Sequence, residues 1–421
     1  MSCVPVETSR IRRSILLSAA IQLGLGAFTA HPYDGRVFLA TGYSVAHGGS
    51  PYVPMNVSDV FGNSLFPQPV PGIGYPPPWS LVLALSYLFS YNLFPNIILY
   101  NLAVKVPIII GNILLSLLVG KMVMRLTSDN GQSQNAVRFM LFNPYVIYTT
   151  TIWGQFDTVS VLLMLFAAYW LAQEKSRLSA VALGTAIALK VIPIVLLPLL
   201  IFQEKKRGGL RRPFEYAVYT LGVVALSFAP FLVGWSIKPV LDNWNIHFVR
   251  VGAFSPMSIL LPFGVHASAN GLEILGYLWL PSLVLICYVI SRRSITKLSN
   301  LILAALAIML AVSLTRSWVS EQNLNFVLPL VLLASITQGW DKRWVTATWA
   351  LPLTFAFLHT SPLQMFFLVA PESVLNAISF EQLQSNIIVM TRILLTIIWL
   401  IIGLGLLKKT LGSQNTMRIQ A

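Results

Sequence analysis

Ser14-Ile-Leu-Leu-Ser-Ala-Ala-Ile-Gln-Leu-Gly-Leu-Gly-Ala-Phe-Thr-Ala30 is an apolar run, and His31-Pro-Tyr-Asp-Gly-Arg36 follows it directly. The run is typical of a membrane span. It is longer than the core of a typical signal peptide and lacks a clean Ala-x-Ala cleavage site, since Phe28 would occupy the −3 position. We therefore expect it to remain as an anchor, with Asp34 about one helical turn beyond the hydrocarbon edge.

Basic residues orient this first span. Three arginines precede it, at positions 10, 12 and 13. Because cytoplasmic segments carry the excess of Lys and Arg, the start of the chain is predicted to be cytoplasmic and residues 31–78 extracytoplasmic. This external loop has only three charged residues, Asp34, Arg36 and Asp59. Asp34 is therefore a candidate catalytic base at the membrane surface.

The rest of the external loop is rich in turn-forming residues. Gly48-Gly-Ser-Pro-Tyr52 and Gly74-Tyr-Pro-Pro-Pro78 favour tight turns that fold the loop back onto the membrane surface. We expect short interfacial helices in this loop and a shaped site around Asp34. The alternative is that Asp34 only caps a helix or ends it at the interface, since Asp is a common N-cap residue.

Composition sets the fold class. Hydrophobic residues make up 56% of the 421 residues and charged residues 10%, and the mean hydropathy is +0.73. Apolar runs of about 20 residues recur, so we predict an all-α polytopic membrane protein with about 11–13 hydrophobic helices. The net charge of +14 comes from short basic segments between apolar runs, which argues against nucleic-acid binding. Cys3 and Cys287 indicate neither a disulfide nor a zinc site.

The second half of the chain can be oriented from its basic segments. The strongest basic run, 205–212, is predicted to be cytoplasmic. From there, apolar segments alternate across the membrane at 214–234, 272–291, 298–315, 322–338, 343–358 and 388–407. This places 235–271, 316–321 and 359–387 outside, on the face that carries Asp34.

The middle of the chain allows two arrangements. Apolar segments occur near 79–98, 101–124, 136–152, 156–172 and 178–202. Counted as five spans, they place Gly154-Gln-Phe-Asp157 inside. If 178–202 is a pair of half-spans broken at Lys190-Val-Ile-Pro193, and 79–124 crosses once, the same motif lies outside. We prefer the second arrangement, because broken helices are a common way to open a site within a membrane protein.

Two polar features of this middle region have competing interpretations. Asp157 follows a Pro and a Gly at the junction of two apolar segments, where it could simply cap the next helix. Lys190 lies within an apolar segment and must pair or reach the interface. An ionisable residue in such a position is a functional candidate, and Lys190 could neutralise a phosphate.

The ordered motifs resemble a known superfamily. His-Pro-Tyr-Asp34, Gly-Gly-Ser-Pro-Tyr52, Tyr-Pro-Pro-Pro78, Asn143-Pro with Gly-Gln-Phe-Asp157, Ala-Leu-Lys190 with Pro193, and Ser320-Glu-Gln-Asn323 follow one another along the chain. Together they resemble the GT-C integral-membrane glycosyltransferases. Within that superfamily they are similar to the polyprenyl-phosphate-mannose-dependent mannosyltransferases, including the catalytic subunit of the first GPI mannosyltransferase.

The resemblance implies an activity and a role for Asp34. Such enzymes move one sugar from a polyprenyl phosphate to an acceptor hydroxyl with inversion, at a site that opens sideways to the bilayer, and Asp34 would be the base. Two features depart from the pattern. Asn323 stands where many relatives have an aromatic residue after Glu-Gln, and the first loop has no Asp-x-Asp signature. The second departure argues against a bound metal, and we expect no cofactor.

Sugar transfer from a phosphate donor requires the same kinds of groups, a base and cations. A sugar phosphate carries its own leaving group, so a single displacement needs one base and cations that neutralise the departing phosphate. The phosphate candidates are Arg36, Lys190, His247, Arg250 and Arg316. The predicted substrate-binding residues are His31, Arg36, Tyr52, Tyr75, Gln155, Asp157, Lys190, Arg316, Glu321 and Gln322. Glu321 and Arg316 could instead form an interfacial ion pair that only trims the helix ends.

The sequence further predicts one integrated membrane unit. Residues 1–204 would form the catalytic module and residues 205–421 a variable bundle that completes a lipid groove. The expected partners are a polyprenyl-phosphate sugar donor, a glycan or glycolipid acceptor and the bilayer, with the protein in the cell membrane and its site on the extracytoplasmic face. Two alternatives remain open: a transporter or flippase of lipid-linked sugars, and an oligosaccharide ligase or polymerase.

Overall fold

The computed structural model describes residues 8–66, 69–236, 251–263, 276–293, 297–371 and 385–416, with a few single positions between these ranges. Regular secondary structure in the described chain is almost entirely helical, with two two-residue strands. Its α-helices are α1 (Thr8–Phe28), α2 (Asp34–Ala46), α3 (Ser58–Phe61), α4 (Pro77–Leu88), α5 (Ile97–Thr127), α6 (Asn130–Leu141), α7 (Pro144–Val146), α8 (Asp157–Leu171), α9 (Ser176–Leu189), α10 (Leu197–Gly208), α11 (Arg211–Gly234), α12 (Trp279–Ser291), α13 (Leu298–Thr315), α14 (Leu328–Gln338), α15 (Lys342–His359) and α16 (Asn386–Thr416).

Shorter elements connect these helices. A π-helix, Ile147–Ile152, continues α7, and strands β1 (Gly252–Ala253) and β2 (Trp318–Val319) pair in parallel. Four 3₁₀ segments lie at the ends of longer helices or between them: Ile192–Leu196, Pro256–Phe263, Glu321–Phe326 and Pro362–Phe366.

Four described helices are long and apolar enough to cross a membrane. They occupy Ser9–Phe28, Ile97–Thr127, Leu298–Thr315 and Asn386–Ser413. A fifth candidate is the pair Asn130–Ile152 and Asp157–Leu171, which bends by 118° at its break. The protein is therefore an integral, polytopic, all-helical membrane protein, as the composition predicts. Two further apolar helices of the described chain, Ser176–Leu189 and Trp279–Ser291, are shorter, at 10–17 residues.

Some predicted boundaries are corrected by local chemistry. The first span begins at Thr8 and ends at Phe28, so it starts earlier than the apolar run alone indicates. The segment predicted at 79–98 ends as a helix at Leu88. A new helix starts at Ile97, where the side chain of Asn96 accepts hydrogen bonds from the backbone N–H groups of Ile98 and Leu99.

The segment 178–202 is broken at Lys190, as the preferred arrangement requires, and the side of the membrane that residues 154–157 face stays a prediction. Helix α9 ends at Leu189, Lys190 is extended, and α10 begins after one 3₁₀ turn that starts near Pro193. The end of α10 returns to the turn that precedes α9, because Arg207 of α10 donates a hydrogen bond of 2.6 Å to the carbonyl oxygen of Leu171, the last residue of α8. Lys190 therefore lies at the tip of a helical hairpin.

The tip of this hairpin lies at the same end of the bundle as Asp157. Helix α8 begins at Asp157 and ends at Leu171, next to Arg207, so its 15 residues span about 22 Å between the two ends. The bundle thus has a site end, with Asp157 and Lys190, and a basic end, with Arg207 and its neighbours.

Two large clusters of buried apolar residues form most of the described core, and a small third cluster contains Tyr148 and Trp153. The larger cluster joins helices α5 to α10 with helices α12 to α16, so it continues across position 204. The second large cluster packs α2 and α4 against the start of α5. Gly42 permits this second contact: a Cβ there would lie 2.5 Å from the carbonyl oxygen of Leu83. The predicted division into modules at residue 204 stays a prediction.

Candidate active site

Asp34 opens helix α2 and points toward a different part of the chain. Its Oδ2 accepts hydrogen bonds from Trp153 Nε1 at 2.6 Å and Gln155 Nε2 at 2.7 Å. The carboxylate is 19% exposed, and no donor in the described part of the chain bonds to Oδ1. The carboxylate is thus held through one oxygen while the other remains accessible. The interpretation of Asp34 as an N-cap is wrong, because Tyr33 occupies that position.

A glycine allows both donors to reach one carboxylate. Gly154 lies between Trp153 and Gln155 and has a φ of +102°, a conformation that side-chain-bearing residues rarely adopt. The π-helix ends just before it, and wide helical turns of this kind recur at functional sites. The turn that separates the two segments of the bent pair is thereby shaped around Asp34.

Buried polar residues of α5 hold the two parts of the site together. The Lys105 ammonium donates to the carbonyl oxygen of Thr29 and, at 3.1 Å, to that of Ile152. Asn101 Nδ2 donates to the carbonyls of Gly26 and Ala27 at 2.8 and 3.0 Å. These bonds satisfy the free carbonyls at the end of α1, and they fix the chain on both sides of the Asp34 contact.

His31 is a neutral neighbour of Asp34. Its Nδ1 accepts from the backbone N–H groups of Tyr33 and Asp34, so the proton lies on Nε2, which is 3.2 Å from Thr360 Oγ1. Burial lowers the pKa of His31 from 6.5 to about 4. The ring stacks on Trp153 at 4.3 Å between centroids. His31 therefore positions the Trp153 indole and carries no charge at neutral pH.

Tyr75 connects Asp34 to a groove. Its hydroxyl donates to Gln155 Oε1 at 3.0 Å, and its carbonyl oxygen accepts from the hydroxyl of Tyr52 at 3.1 Å. Burial first, and then the charges of Asp34 and Asp157, raise the pKa of Tyr75 well above its ordinary value. Tyr75 thus stays protonated and donates, which leaves the amide nitrogen of Gln155 for Asp34.

Lys190 and Asp157 form a buried ion pair beside Tyr75. The Lys190 Nζ lies 2.7 Å from Asp157 Oδ1 and 5.2 Å from the centroid of the Tyr75 ring. Asp157 is fully buried, and its Oδ2 has no hydrogen-bond partner among the described residues. The interpretation of Asp157 as a helix cap is wrong, because Phe156 occupies the N-cap position of α8 and the Asp157 side chain pairs with Lys190 at the tip of the hairpin.

The groove next to this pair has a volume of about 170 Å³, and two of the side chains in its wall are cationic. Lys190 and Arg316 both line it, together with Tyr75, Trp318 and Gln322. Arg316 follows α13, and within the described chain its guanidinium has no hydrogen-bond or ion-pair partner. Such an arrangement suits an anion.

Two further features prepare the groove for a polar ligand. Gln322 is buried, and its Oε1 has no hydrogen-bond partner. The pairing of β1 with β2 fixes the chain around Arg316, whose carbonyl oxygen accepts from Ser255 Oγ at 2.6 Å. The backbone is thus held while the Arg316 side chain remains available.

Glu321 pairs with a histidine, which corrects the suggestion of an ion pair with Arg316. Its Oε1 lies 2.9 Å from Nδ1 of His359, at the end of α15. Burial acts to raise the pKa of Glu321, but the charge and hydrogen bond of His359 prevail and lower it. The charges of His359 and Glu321 also act on His31, so the pair lies near the Asp34 side of the site.

The predicted site residues separate into groups. Tyr75, Gln155, Asp157 and Lys190 join Asp34 in one network of contacts. The guanidinium of Arg36 instead donates to the carbonyl oxygens of Pro32 and Leu65 and lies over the Phe367 ring, so it holds the loop. Tyr52 faces an apolar cavity. His247 and Arg250 lie outside the described residues.

Trp153 and His359 belong to the site but were not predicted from the sequence. Trp153 stands beside Gln155 in a motif that the sequence analysis did single out, but an indole in an apolar segment is more often part of a core. Its proximity to the Gly154 turn was the available signal. His359 ends an apolar helix, and nothing near it in sequence connects it with Glu321, which is 38 positions away.

A comparison with protein families gives a match. The model described as Glycosyltransferase family 87 matches residues 74–290, just over half of the chain. This chain belongs to glycosyltransferase family 87. The matched range of this family 87 protein includes Tyr75, Gln155, Asp157 and Lys190, and it begins after Asp34. No curated protein is significantly similar to the chain. The family and the apolar helices together make this protein a membrane glycosyltransferase.

Proposed function

We propose that this protein transfers a hexose, with mannose the sugar we expect, from a polyprenyl-phosphate donor to a hydroxyl of a glycan or glycolipid. One observation carries the proposal. The Asp34 carboxylate is held by Trp153 and Gln155 through Oδ2, its Oδ1 is accessible, and Tyr75 connects it to a groove with two cations. A base and a phosphate-binding region thus lie on either side of one tyrosine.

The reaction would be a single displacement. The acceptor oxygen attacks the anomeric carbon, the bond from that carbon to the phosphate oxygen breaks, and the phosphate keeps the electron pair. Oδ1 of Asp34 takes the proton of the acceptor hydroxyl. Attack from the face opposite the phosphate inverts the anomeric configuration. Trp153 and Gln155 would keep the carboxylate aligned for this transfer.

The departing phosphate would be stabilised by cations in the groove. Arg316 offers a fork of N–H donors that matches phosphate geometry, and it has no other partner among the described residues. Lys190 shares its charge with Asp157, so we assign it a smaller part of this role. The unpartnered Oε1 of Gln322 would accept a hydrogen bond from a sugar hydroxyl.

A neighbouring apolar cavity fits the lipid part of the donor. This cavity of about 310 Å³ lies between the external loop and α11, and its walls include Tyr52, Pro77, Phe231 and Trp235. Tyr52 bonds the backbone of Tyr75, and Pro77 follows Pro76, which lines the groove. A prenyl chain could therefore extend from the phosphate into a dry channel without crossing polar groups.

The purified protein, assayed with a panel of donors, tests the proposal. We expect transfer from polyprenyl-phosphate mannose, with a product of inverted anomeric configuration by NMR, and little or none from GDP-mannose. Transfer that requires the nucleotide sugar, or a product with retained configuration, would contradict the proposal. Polyprenyl-phosphate glucose and arabinose in the same panel establish which sugar the groove accepts.

A further inference from the structure

The basic end of the bundle contains a polar pocket that the proposed transfer does not use. Its volume is about 380 Å³, within the usual range for ligand pockets of about 300–1,000 Å³. It lies where the α8–α9 turn meets the end of α10 and the start of α11, so it is one helix length from Asp157. The lining residues are Glu174, Lys175, Ser176, Arg177, Leu178, Glu204, Arg212, Glu215, Tyr216 and Tyr219.

A buried carboxylate in this pocket lacks a full set of partners. Glu204 is fully buried, and only its Oε1 has a contact, with Arg207 at 3.4 Å. Its Oε2 is buried, and no donor in the described part of the chain bonds to it. An unmatched buried carboxylate oxygen costs free energy, so a donor from a ligand would be favourable there.

Cations form the rim of the same pocket. Lys175, Arg177 and Arg212 are exposed, and the exposed carboxylate of Glu174 lies on the same rim. Arg177 lies over the ring of Tyr219, whereas Lys175 and Arg212 have no ion-pair partner in the described chain. Glu215 on the rim is already paired with Arg211 at 2.7 Å. The pocket therefore combines a negative interior with a positive opening.

Apolar side chains continue from the pocket along the bundle surface. Leu178 and Val181 are 50% and 42% exposed and lie on one face of α9. Phe214, Val218 and Leu221, at spacings of four and three residues, form a matching exposed face of α11. In a membrane protein such faces contact acyl chains, so a ligand in this pocket would be the headgroup of a lipid.

We infer that the pocket formed by Glu204 and the rim cations binds the headgroup of a phospholipid with a primary ammonium, of the phosphatidylethanolamine type. The ammonium donates a hydrogen bond to Glu204 Oε2, and the phosphate lies among Lys175, Arg177 and Arg212. The acyl chains follow the apolar faces of α9 and α11. A choline headgroup has no N–H to donate, and a glycerol headgroup has no positive charge, so both fit less well.

Native mass spectrometry of the full-length protein in detergent tests this inference. Dioleoyl phosphatidylethanolamine, phosphatidylcholine and phosphatidylglycerol are added at equal concentrations, and soluble phosphoethanolamine is added separately. We expect the wild-type protein to retain about tenfold more phosphatidylethanolamine than phosphatidylcholine, the usual effect of one hydrogen bond to a charged group. Equal retention of these two lipids would overturn the inference. So would phosphoethanolamine binding as tightly as the lipid, because the acyl chains would then contribute nothing.

Substitutions test which residues cause the preference for phosphatidylethanolamine over phosphatidylcholine. Glu204→Gln should abolish the tenfold preference, whereas Asp242→Asn, an exposed carboxylate outside the pocket that pairs with Lys238, should keep it. A Glu204→Gln protein that keeps the preference contradicts the assignment. If Glu204→Gln does not fold, Lys175→Met with Arg212→Met decides. That variant should weaken all three lipids while the ratio of phosphatidylethanolamine to phosphatidylcholine is unchanged, and undiminished retention of all three would contradict the inference.

Discussion

Asp34 uses its two carboxylate oxygens for different purposes. Oδ2 receives two short hydrogen bonds, from an indole and an amide, whereas Oδ1 has no donor among the described residues. A base held in this way presents its free oxygen in one orientation, which is how positioning contributes to the rate. Both donors, the Trp153 indole and the Gln155 amide, are uncharged.

The Glu321→Gln variant tests whether the second acidic residue takes part in transfer. We expect turnover to fall roughly tenfold or more, because the amide cannot carry the charge that faces His359, while the side-chain oxygen can still accept the His359 hydrogen bond. Expression and detergent stability should be unaffected. The measurements are initial rates and thermal unfolding, with His359→Asn as the partner variant. Unchanged turnover with unchanged stability would support a structural role alone.

Single site residues could be predicted where a charged side chain lies next to or within an apolar segment. Asp34, Lys190 and Arg316 are charged groups next to or within apolar segments, and the structure places all three at one end of the bundle. The contact between Trp153 and Asp34 spans 119 positions, and no local pattern encodes it. The predicted partner of Glu321 was wrong for the same reason. Arg316 is near Glu321 in sequence, whereas His359 is brought to Glu321 by the packing of α15.

The helical hairpin α9–α10 is the element that brings a cation to the groove. Lys190 at its tip has extended backbone geometry, so the ammonium reaches both Asp157 and the ring of Tyr75. The break also ends α9 below the length of a full span. Pro193 is compatible with such a break because it lacks the N–H that a continuing helix requires.

Substitutions of the buried pair separate its structural and chemical roles. Lys190→Met leaves Asp157 buried and unpaired, which should destabilise the protein by about 3–5 kcal/mol. The double variant Lys190→Met with Asp157→Asn should regain most of this stability, because no lone charge remains. Transfer should stay low in both variants, since the groove has lost a cation. Thermal unfolding and initial rates measure the two effects, with Lys205→Met, exposed on α10, as the control.

Recovery of transfer in the double variant would restrict Lys190 to a structural role. A Lys190→Met protein as stable as wild type would instead show that the pair adds nothing to the fold. In the first case the phosphate role would pass to Arg316, which lines the same groove.

Elements were predicted well where hydrophobicity is continuous. The span at 298–315 matches its helix, and the hairpin break at Lys190 was anticipated from one charged residue and one proline. The π-helix Ile147–Ile152 was not predicted, because its wider turns depend on threonine side chains that bond to preceding carbonyls. A hydropathy pattern contains no information about such hydrogen bonds from side chains to the backbone.

At the scale of the whole molecule, the bundle has chemically distinct ends. Asp34, Lys190 and Arg316 lie toward one end, and the basic residues around Arg207 lie toward the other. We predict that the first end faces outside and the second the cytoplasm, because only that orientation satisfies the basic segments. The shared core of the two halves could not be predicted, since it depends on how about sixteen helices pack.

Cysteine accessibility in intact cells tests this orientation. Single cysteines replace Asp34, Ser320 or Arg207 in a chain whose Cys3 and Cys287 have been changed to serine. We expect a membrane-impermeant maleimide to label positions 34 and 320, and to label position 207 only after the cells are permeabilised. Labelling at 207 but not at 34 or 320 in intact cells would reverse the model of the membrane topology.

The proposed sugar transfer depends on Asp34 as the base, and the Asp34→Asn variant tests this most directly. The amide has the same shape and cannot accept the acceptor's proton, so the rate of sugar transfer by the purified variant should fall by about 10²–10⁴-fold. Donor binding and thermal stability should persist, and Asp59→Asn, an exposed acid of the same loop, should transfer at the wild-type rate. Asp34→Glu should recover little, because a displacement of about 1 Å can cost about 10²-fold. Transfer by Asp34→Asn within a fewfold of wild type would contradict the account and leave Asp157 or Glu321 as the next candidates for the base.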